Sequence, residues 1–331
     1  MRLHVGGFGA KNAFAPFNAV EVNLQNALLV EQGLEQQRQQ QLLALAQQCT
    51  LARQKQVFGQ LLGDGGAAND FGRLGHLAGR QPVAGLRGAL LGLAAGDAIG
   101  NAWQTERDST GEWTQHTSLA LCLAESLLEL GHFDARDQIE RYLLWRRSGH
   151  LSARGLPGEP TADVARALAT YQWRHQPMAG SHDPRDRSTA SLPRVVSAAA
   201  FMVADPAAAV TLAAECSRTT HQSPLVLDAC RYFGALLVGA LRGEASARVL
   251  NGVYEPVPGQ WARRPLKREI AATAGDGPSS AVLERAGSAD DVASALRNAR
   301  RAVVGASSFE VAVQRAIDGG RDSDVQAVPG V

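Results

Sequence analysis

Carboxylate and imidazole side chains occur in this chain at places where short polar or glycine-rich segments interrupt helical patterns. Asp322 and Asp324 alternate in a glycine-rich turn, and two carboxylates at this spacing can converge on a hard cation such as Mg²⁺ or Ca²⁺. A solvated aspartate turn has the same spacing, so the pair alone is a weak signal. His116 precedes a helical pattern, where an imidazole can be a metal ligand, a base or a capping residue.

Two further polar residues need partners wherever they lie in the fold. Asp97 lies in the small-residue segment GLAAGDAIG at residues 92–100, where an unpaired carboxylate would be costly to bury. We therefore expect Asp97 to have a side chain, a backbone amide or a metal as its partner. His221 lies seven residues before Asp228 across a loop-to-helix junction. That pair can supply a base, although structural hydrogen bonding is its more common role.

The pattern that must position these residues is helical. The chain has 331 residues, of which 45% are hydrophobic and only 5% aromatic, and its abundant alanine and leucine favour closely packed helices. No segment alternates with a period of two over five residues, so we predict an all-α fold with about ten helices. Residues 252–265 are broken by proline and glycine and are predicted to be a loop. Gly131 is predicted to be the C-cap that ends the helix at 118–130. Beyond residue 83, helices are predicted at 86–99, 118–130, 137–147, 161–173, 195–203, 207–216, 223–242, 288–302 and 308–317.

The first 82 residues have a different composition. Residues 19–62 are rich in glutamine and carry leucine or alanine at helical spacing, which predicts a long amphipathic helix or a helical hairpin. The GDGG segment at residues 63–66 ends this pattern. We therefore predict a Gln-rich helical extension with its linker at 1–82 and a second domain at 83–331.

Composition also argues against several classes of protein. The 33 lysines and arginines nearly balance 32 acidic residues, so we expect no nucleic-acid partner. No apolar run reaches 18 residues, which argues against a membrane partner. The four cysteines form no CxxC pair and the N-terminus lacks a long apolar segment, which predicts a cytoplasmic protein with reduced thiols. A secreted effector remains an open alternative.

Several motifs in order make the chain resemble the ADP-ribosylglycohydrolases, the family of dinitrogenase-reductase-activating glycohydrolases. The resemblance begins with RGALLGLAAGDAIG at residues 87–100 and continues through 113–121, 133–145, 191–194, 217–221, 228–232 and 308–313. It implies an orthogonal multi-helix bundle with a binuclear Mg²⁺ site that cleaves a glycosidic bond to ADP-ribose. It also implies a binding cleft for ADP-ribose, with ligand-binding residues expected at Asp97, Gln104, Gln115, Thr189, Ser191 and His221.

Position by position, the sequence departs from the pattern of that family. The first metal loop, Thr-Asp-Asp-Thr in the family, reads Thr114-Gln115-His116-Thr117, so both carboxylates are gone. The last metal loop keeps Asp322 and Asp324 but loses its threonine. An acid expected after the GDAIG segment aligns with Gln104, and Glu106 is a shifted substitute. The ligand loop Gly-Asn-Gly-Ser aligns with residues 188–191, which include Thr189 and Ser191.

These departures predict that Mg²⁺ binds weakly, at a single site, or not at all, because two such ions need several carboxylates to offset their charge. Our first hypothesis is a pseudoenzyme that binds an ADP-ribose-like ligand or a protein partner. The second is an active hydrolase that removes ADP-ribose from modified protein side chains. Its altered site would use Thr114, His116, Asp322 and Asp324 as ligands, with Glu106 positioning water. The third is an interaction or immunity-type protein that acts through residues 1–82.

Overall fold

The computed structural model of the protein describes residues 81–105, 112–274 and 291–319. The predicted extension at residues 1–82 lies almost wholly outside the described residues, so its helix stays a prediction. Within the described ranges the chain forms helices and no strand, which confirms the all-α prediction. Ser181 and His221 form one isolated β-bridge.

The helices follow one another in a simple order, and most of them begin and end within a few residues of the predicted bounds. The first helix is longer than predicted at both ends. A single helical turn, α9, lies inside the segment that was predicted to be loop. A 3₁₀ turn at Ala272–Ala274 follows α10. The helices are α1 Gln81–Thr105, α2 Gln115–Leu130, α3 Ala135–Ser148, α4 Ala162–Arg174, α5 Val195–Phe201, α6 Pro206–Glu215, α7 Pro224–Leu241, α8 Ser246–Leu250, α9 Gln260–Arg263, α10 Arg268–Ala271, α11 Val292–Val303 and α12 Phe309–Gly319.

Local sequence explains where these helices begin and end. Thr114 caps the N-terminus of α2, because its hydroxyl accepts the backbone N–H of His116. Gly131 ends the same helix in the left-handed region at a φ of 70°, and its N–H donates to the carbonyl of Leu127. That glycine was predicted as the C-cap, where a residue without a Cβ adopts this backbone without strain.

The core is built around α7, which packs against α5, α6 and α11. Small residues allow the close approach: a Cβ added at Gly234 of α7 would lie 2.7 Å from the Cβ of Ala213 on α6. By length and composition α7 could cross a membrane, but 72% of it is buried inside the protein, as is typical of a core helix. A second apolar cluster joins α2, α3 and α4 around Tyr142 and Trp145. Together these contacts fix the N-termini of α2 and α4, where the candidate site lies.

Candidate functional site

Asp97 on α1 is a buried carboxylate whose partners are all at the start of α2. Its Oδ2 accepts the backbone N–H of Thr114 at 2.9 Å and that of Thr117 at 3.1 Å. The two threonine hydroxyls donate to Asp97 as well, from Thr114 to Oδ1 at 2.7 Å and from Thr117 to Oδ2 at 2.8 Å. The prediction that Asp97 must have a partner is confirmed. Four donors occupy the carboxylate, and a helix N-terminus is a favourable place for its negative charge.

Gln115 occupies one of the two positions where the family pattern has an aspartate. Its Nε2 donates to Thr161 Oγ1 at 3.0 Å, and its Oε1 accepts the N–H of Thr161 at 2.9 Å. Both polar atoms of the amide are therefore used by one residue at the start of α4. Gln115 and the neighbouring His116 are both buried, at 6% and 8% exposure. Residues 114–117 are the N-cap and first turn of α2, and we call them the α2 entry loop because they align with the first metal loop of the family pattern. The α2 entry loop is thus bound to α1 on one side and to the start of α4 on the other.

The α2 entry loop itself offers no carboxylate to a metal ion. Its side chains offer two hydroxyls, an amide and an imidazole, whereas Mg²⁺ prefers carboxylates and water. The nearest carboxylate, Asp97, already accepts four hydrogen bonds. Among the described residues, no three His, Cys, Asp or Glu side chains come together as a metal-binding group. Asp322 and Asp324 lie outside the described residues, and so does Glu106.

A second carboxylate, the half-buried Asp163, lies next to this loop, and the sequence alone did not point to it. Its Oδ2 lies 2.7 Å from Nε2 of His221 and accepts the hydroxyl of Ser188. Its Oδ1 accepts the hydroxyl of Thr161 and the N–H of Val164. In sequence, Asp163 resembles any acid in the first turn of a helix, and nothing near it in the chain indicates these partners.

The environment of Asp163 keeps it ionised. Burial disfavours the charged form and raises its pKa, but the hydrogen bond and charge of His221 act in the opposite direction. The hydroxyls of Ser188 and Thr161 add to that effect, and the pKa of Asp163 is held well below its usual range. An ionised Asp163 accepts the Nε2–H of His221, which leaves Nδ1 of the ring to face the opposite side.

On that opposite side, His221 contacts hydroxyl groups in the protein interior. Nδ1 lies 3.0 Å from Ser191 Oγ and 2.8 Å from Thr220 Oγ1. Thr220 also accepts a hydrogen bond from the buried Arg194 at 2.8 Å, and the guanidinium of Arg194 lies over the ring of Tyr142 at 5.3 Å. The imidazole is fully buried, so it links side chains rather than facing a cleft.

The suggested pairing of His221 with Asp228 is wrong, because His221 binds Asp163 instead. Asp228 accepts Arg231 Nη1 at 2.7 Å and the N–H of Lys267 at 2.8 Å. His221 and Asp228 are only seven residues apart in the sequence, but Asp228 lies on α7 and contacts the segment at Lys267 instead. Structural hydrogen bonding, the role favoured for both, is what each of them has.

The structure connects several predicted residues into one chain of contacts. It runs from Gln115 through the Thr161 hydroxyl to Asp163, and from there through His221 to Ser191. Ser191 is fully buried and accepts Ser217 Oγ at 2.9 Å.

Two other predicted ligand-binding residues are only partly placed. Thr189 is half-buried in the loop of residues 188–191, and its carbonyl accepts the N–H of Leu192 at 2.9 Å. Gln104 lies on α1, but its side chain is outside the described part of the chain. The ligand-binding roles of Thr189, Ser191 and Gln104 therefore stay predictions.

Comparison with known proteins gives consistent matches. Residues 82–328 match the sequence model of a family described as ADP-ribosylglycohydrolase. Over 188 residues the chain is 28% identical to an ADP-ribosylarginine hydrolase Tri1 of Serratia proteamaculans (strain 568), covering 52% of this chain and 51% of that protein. Over 173 residues it is 30% identical to a protein of the same name from Pseudomonas putida (strain GB-1), covering 47% of each. The chain thus spans about half the length of these curated relatives.

One solved structure has a similar fold. It is described as an ADP-ribosylglycohydrolase-related protein complex, and it superposes with a TM-score of 0.58 at 28% sequence identity. The match covers 76% of this chain and 86% of that one. The sequence family and the helical architecture therefore agree.

Proposed function

The chain belongs to the ADP-ribosylglycohydrolase family, and from that membership we propose that it is a pseudoenzyme that acts by binding. Its ligand would be an ADP-ribose-like molecule in the remnant of the family cleft, or a protein partner. One observation carries the proposal. At the position of a family aspartate, both amide atoms of Gln115 are bound to Thr161, so the α2 entry loop is closed by neutral hydrogen bonds.

The chemistry of the metal supports this proposal. The family suggests metal dependence, and two Mg²⁺ ions bring four positive charges that carboxylates must offset. Such ions polarise the substrate and activate water when they are bound. Here an amide and an imidazole replace the two carboxylates of the loop, and Asp97 is used to cap α2. We therefore expect weak Mg²⁺ binding, at one site at most.

A hydrolysis assay tests the proposal directly. The full chain is incubated with arginine-, serine- and threonine-linked ADP-ribosylated proteins at millimolar Mg²⁺ and Mn²⁺, and we expect no turnover. Turnover that disappears in Asp322→Ala would contradict the pseudoenzyme proposal, because it would place a carboxylate of the last loop in a working site. The paired substitution Gln115→Asp/His116→Asp is the matched gain-of-function variant, and calorimetry is expected to show tighter Mg²⁺ binding in it.

An active ADP-ribosyl hydrolase with an altered metal site is the second candidate, and the names of the two curated relatives favour it. In this case Thr114, His116, Asp322 and Asp324 would hold the metal and Glu106 would position water. An imidazole ligand suits Zn²⁺ or Mn²⁺ better than Mg²⁺. Calorimetric titration of the full chain with each metal separates the two candidates, since absence of binding for all three excludes the active one.

Binding of a protein partner through residues 1–82 forms part of the proposal. A Gln-rich amphipathic helix with few charges gains stability mainly by burying its leucine face, and that face can dock on its own domain, dimerise or bind a partner. A variant lacking residues 1–80 distinguishes these outcomes. Loss of a partner with the remaining domain folded and monomeric supports binding to another protein, whereas unfolding of the domain indicates docking within the chain.

A further inference from the structure

The segment from the last residue of α9 to the first residue of α10 is strongly basic and exposed. Four cationic side chains lie within six residues, all of them exposed, and we call them the basic loop. They are Arg263, Arg264, Lys267 and Arg268. Among the described residues, no carboxylate lies within ion-pair distance of any of the four. Such an uncompensated cluster is unusual in a chain whose overall charge is nearly balanced, because scattered charges of opposite sign normally surround each cation.

The acidic groups that the structure describes beside the basic loop are engaged elsewhere. Glu255 accepts the backbone N–H groups of Gly259 at 3.1 Å and Trp261 at 2.9 Å. Asp228 is bound to the guanidinium of Arg231. Each of these carboxylates therefore stabilises the loop backbone or a buried cation. The four cations of the basic loop remain exposed, and of these Arg263 also donates to the carbonyl of Pro258 at 3.3 Å.

The backbone of the basic loop is held in place by buried contacts. Arg231, which is 2% exposed, donates to the carbonyl of Arg264 at 2.8 Å. Its guanidinium also lies 5.2 Å from the centre of the Trp261 ring. The indole of Trp261 donates to the carbonyl of Tyr254 at 2.8 Å. A loop fixed in this way presents its charges at little entropic cost when a ligand binds.

The basic loop is also connected to the candidate site. Glu269, the residue after the loop, forms an ion pair with Arg187 at 2.9 Å. Arg187 also pairs with the buried Asp291 at 2.7 Å, and it directly precedes Ser188, which binds Asp163. A ligand on the basic loop would therefore lie beside the loop of residues 188–191.

We propose that the basic loop is a docking surface for an acidic segment of a protein partner. Recognition of single-stranded nucleic acid would need exposed aromatic rings on which bases stack. The one aromatic ring in the segment, Trp261, instead lies against Arg231 and Tyr232. Four charges on one loop also fall short of the extended basic stripe that tracks a phosphate backbone. An acidic peptide requires only the complementary charge that the loop supplies.

The test is binding of a short fluorescein-labelled polyglutamate peptide to the full chain, followed by anisotropy. Lys267→Glu/Arg268→Glu reverses two charges while keeping the backbone N–H that Lys267 donates to Asp228. At about 50 mM salt we expect this variant to bind the peptide about ten-fold more weakly, and we expect about 300 mM salt to weaken the wild-type complex too. The control, Arg147→Glu/Arg166→Glu, makes the same change in net charge at two exposed arginines on α3 and α4.

The binding of the peptide to the two variants either supports or overturns the acidic-segment proposal. Weaker binding in the loop variant and unchanged binding in the control support it, provided that circular dichroism shows both variants folded. Equal losses in the two variants would overturn it, because net charge alone would then explain binding. No binding by the wild-type chain would overturn it as well. If a single-stranded oligonucleotide binds more tightly than the peptide and the loop variant weakens that binding, the proposal is overturned in favour of a nucleic-acid ligand.

Discussion

Asp97 and Asp163 are two carboxylates that each accept four hydrogen bonds, yet they hold the molecule together in different ways. The partners of Asp97 are neutral and come from one short segment, the start of α2. The partners of Asp163 come from α4, from the loop at Ser188 and from His221, which is 58 residues away in the chain. The first carboxylate is a helix cap. The second joins segments that are distant in sequence.

The difference bears on function because of where each carboxylate lies. The α2 entry loop aligns with the first metal loop of the family pattern, and here its donors bind the Asp97 carboxylate while Gln115 binds Thr161. Next to this loop, Asp163 and the fully buried His221 form a hydrogen bond. The hydrogen bonds of both carboxylates therefore hold neighbouring segments of this part of the molecule together.

Removing the Asp97 carboxylate is expected to have the largest effect on stability. In Asp97→Ala, the N–H groups of Thr114 and Thr117 and both hydroxyls lose their acceptor in a buried site. We expect the free energy of unfolding to fall by about 4 kcal/mol, measured by urea denaturation. Asp97→Asn, which keeps the shape and one acceptor oxygen, is the control and should cost about half as much. A loss below about 1 kcal/mol in the alanine variant would show that water replaces the carboxylate.

Replacing Asp163 is expected to lower stability less at neutral pH, and its effect is expected to depend on pH. Asp163→Asn removes the charged partner of His221, and we expect a loss of about 2 kcal/mol at pH 7. The pKa of Asp163 is lowered in the folded protein, so the unfolded chain takes up a proton first as the pH falls. The stability contributed by Asp163 is thus complete above the usual aspartate pKa of about 4 and is lost as the pH falls below it.

Urea denaturation of the wild type and of Asp163→Asn between neutral and acidic pH measures this dependence. The difference between the two free energies of unfolding should be constant near neutrality and shrink as the pH falls below about 4. Glu159→Gln serves as the control, since Glu159 is exposed. A difference that grows on acidification would mean that Asp163 is protonated in the folded state.

The contrast between the two carboxylates also explains what the sequence could and could not predict. Asp97 was expected to need a partner because it lies among small apolar residues, and helix spacing and a terminal glycine predicted α2 and its end at Gly131. Asp163 gave no such signal, since an acid in the first turn of a helix is ordinary. Its partners Ser188 and His221 come from separate loops, and only the packing of α4 against the core brings them together. The sequence did not indicate the basic loop either, because only the structure shows that Glu255 and Asp228 beside it are engaged elsewhere.

Gln115 links the two regions, and its removal is expected to have a smaller effect than that of either carboxylate. Gln115→Ala breaks both hydrogen bonds to Thr161 and should lower the free energy of unfolding by about 1 kcal/mol. Gln115→Glu keeps the acceptor but loses the donor to the Thr161 hydroxyl, so it should cost a similar amount and serves to separate shape from hydrogen bonding. If Gln115→Ala leaves the urea midpoint unchanged, the loop is held by Asp97 alone.

The smallest expected effect is the coupling between the regions, and it arises because the Thr161 hydroxyl serves both. That hydroxyl accepts Gln115 Nε2 on one side and donates to Asp163 on the other, and a donor strengthens when it accepts a hydrogen bond itself. A double-mutant cycle of Gln115→Ala and Asp163→Asn should therefore give a coupling energy of about 0.5 kcal/mol. The same cycle with Asp97→Asn in place of Gln115→Ala is the control, because Asp97 has no bond to Thr161 among its four contacts. Equal coupling in both cycles would mean that the two carboxylates act as one unit. Asp97 as a helix cap and Asp163 as a link between distant segments could then no longer be distinguished.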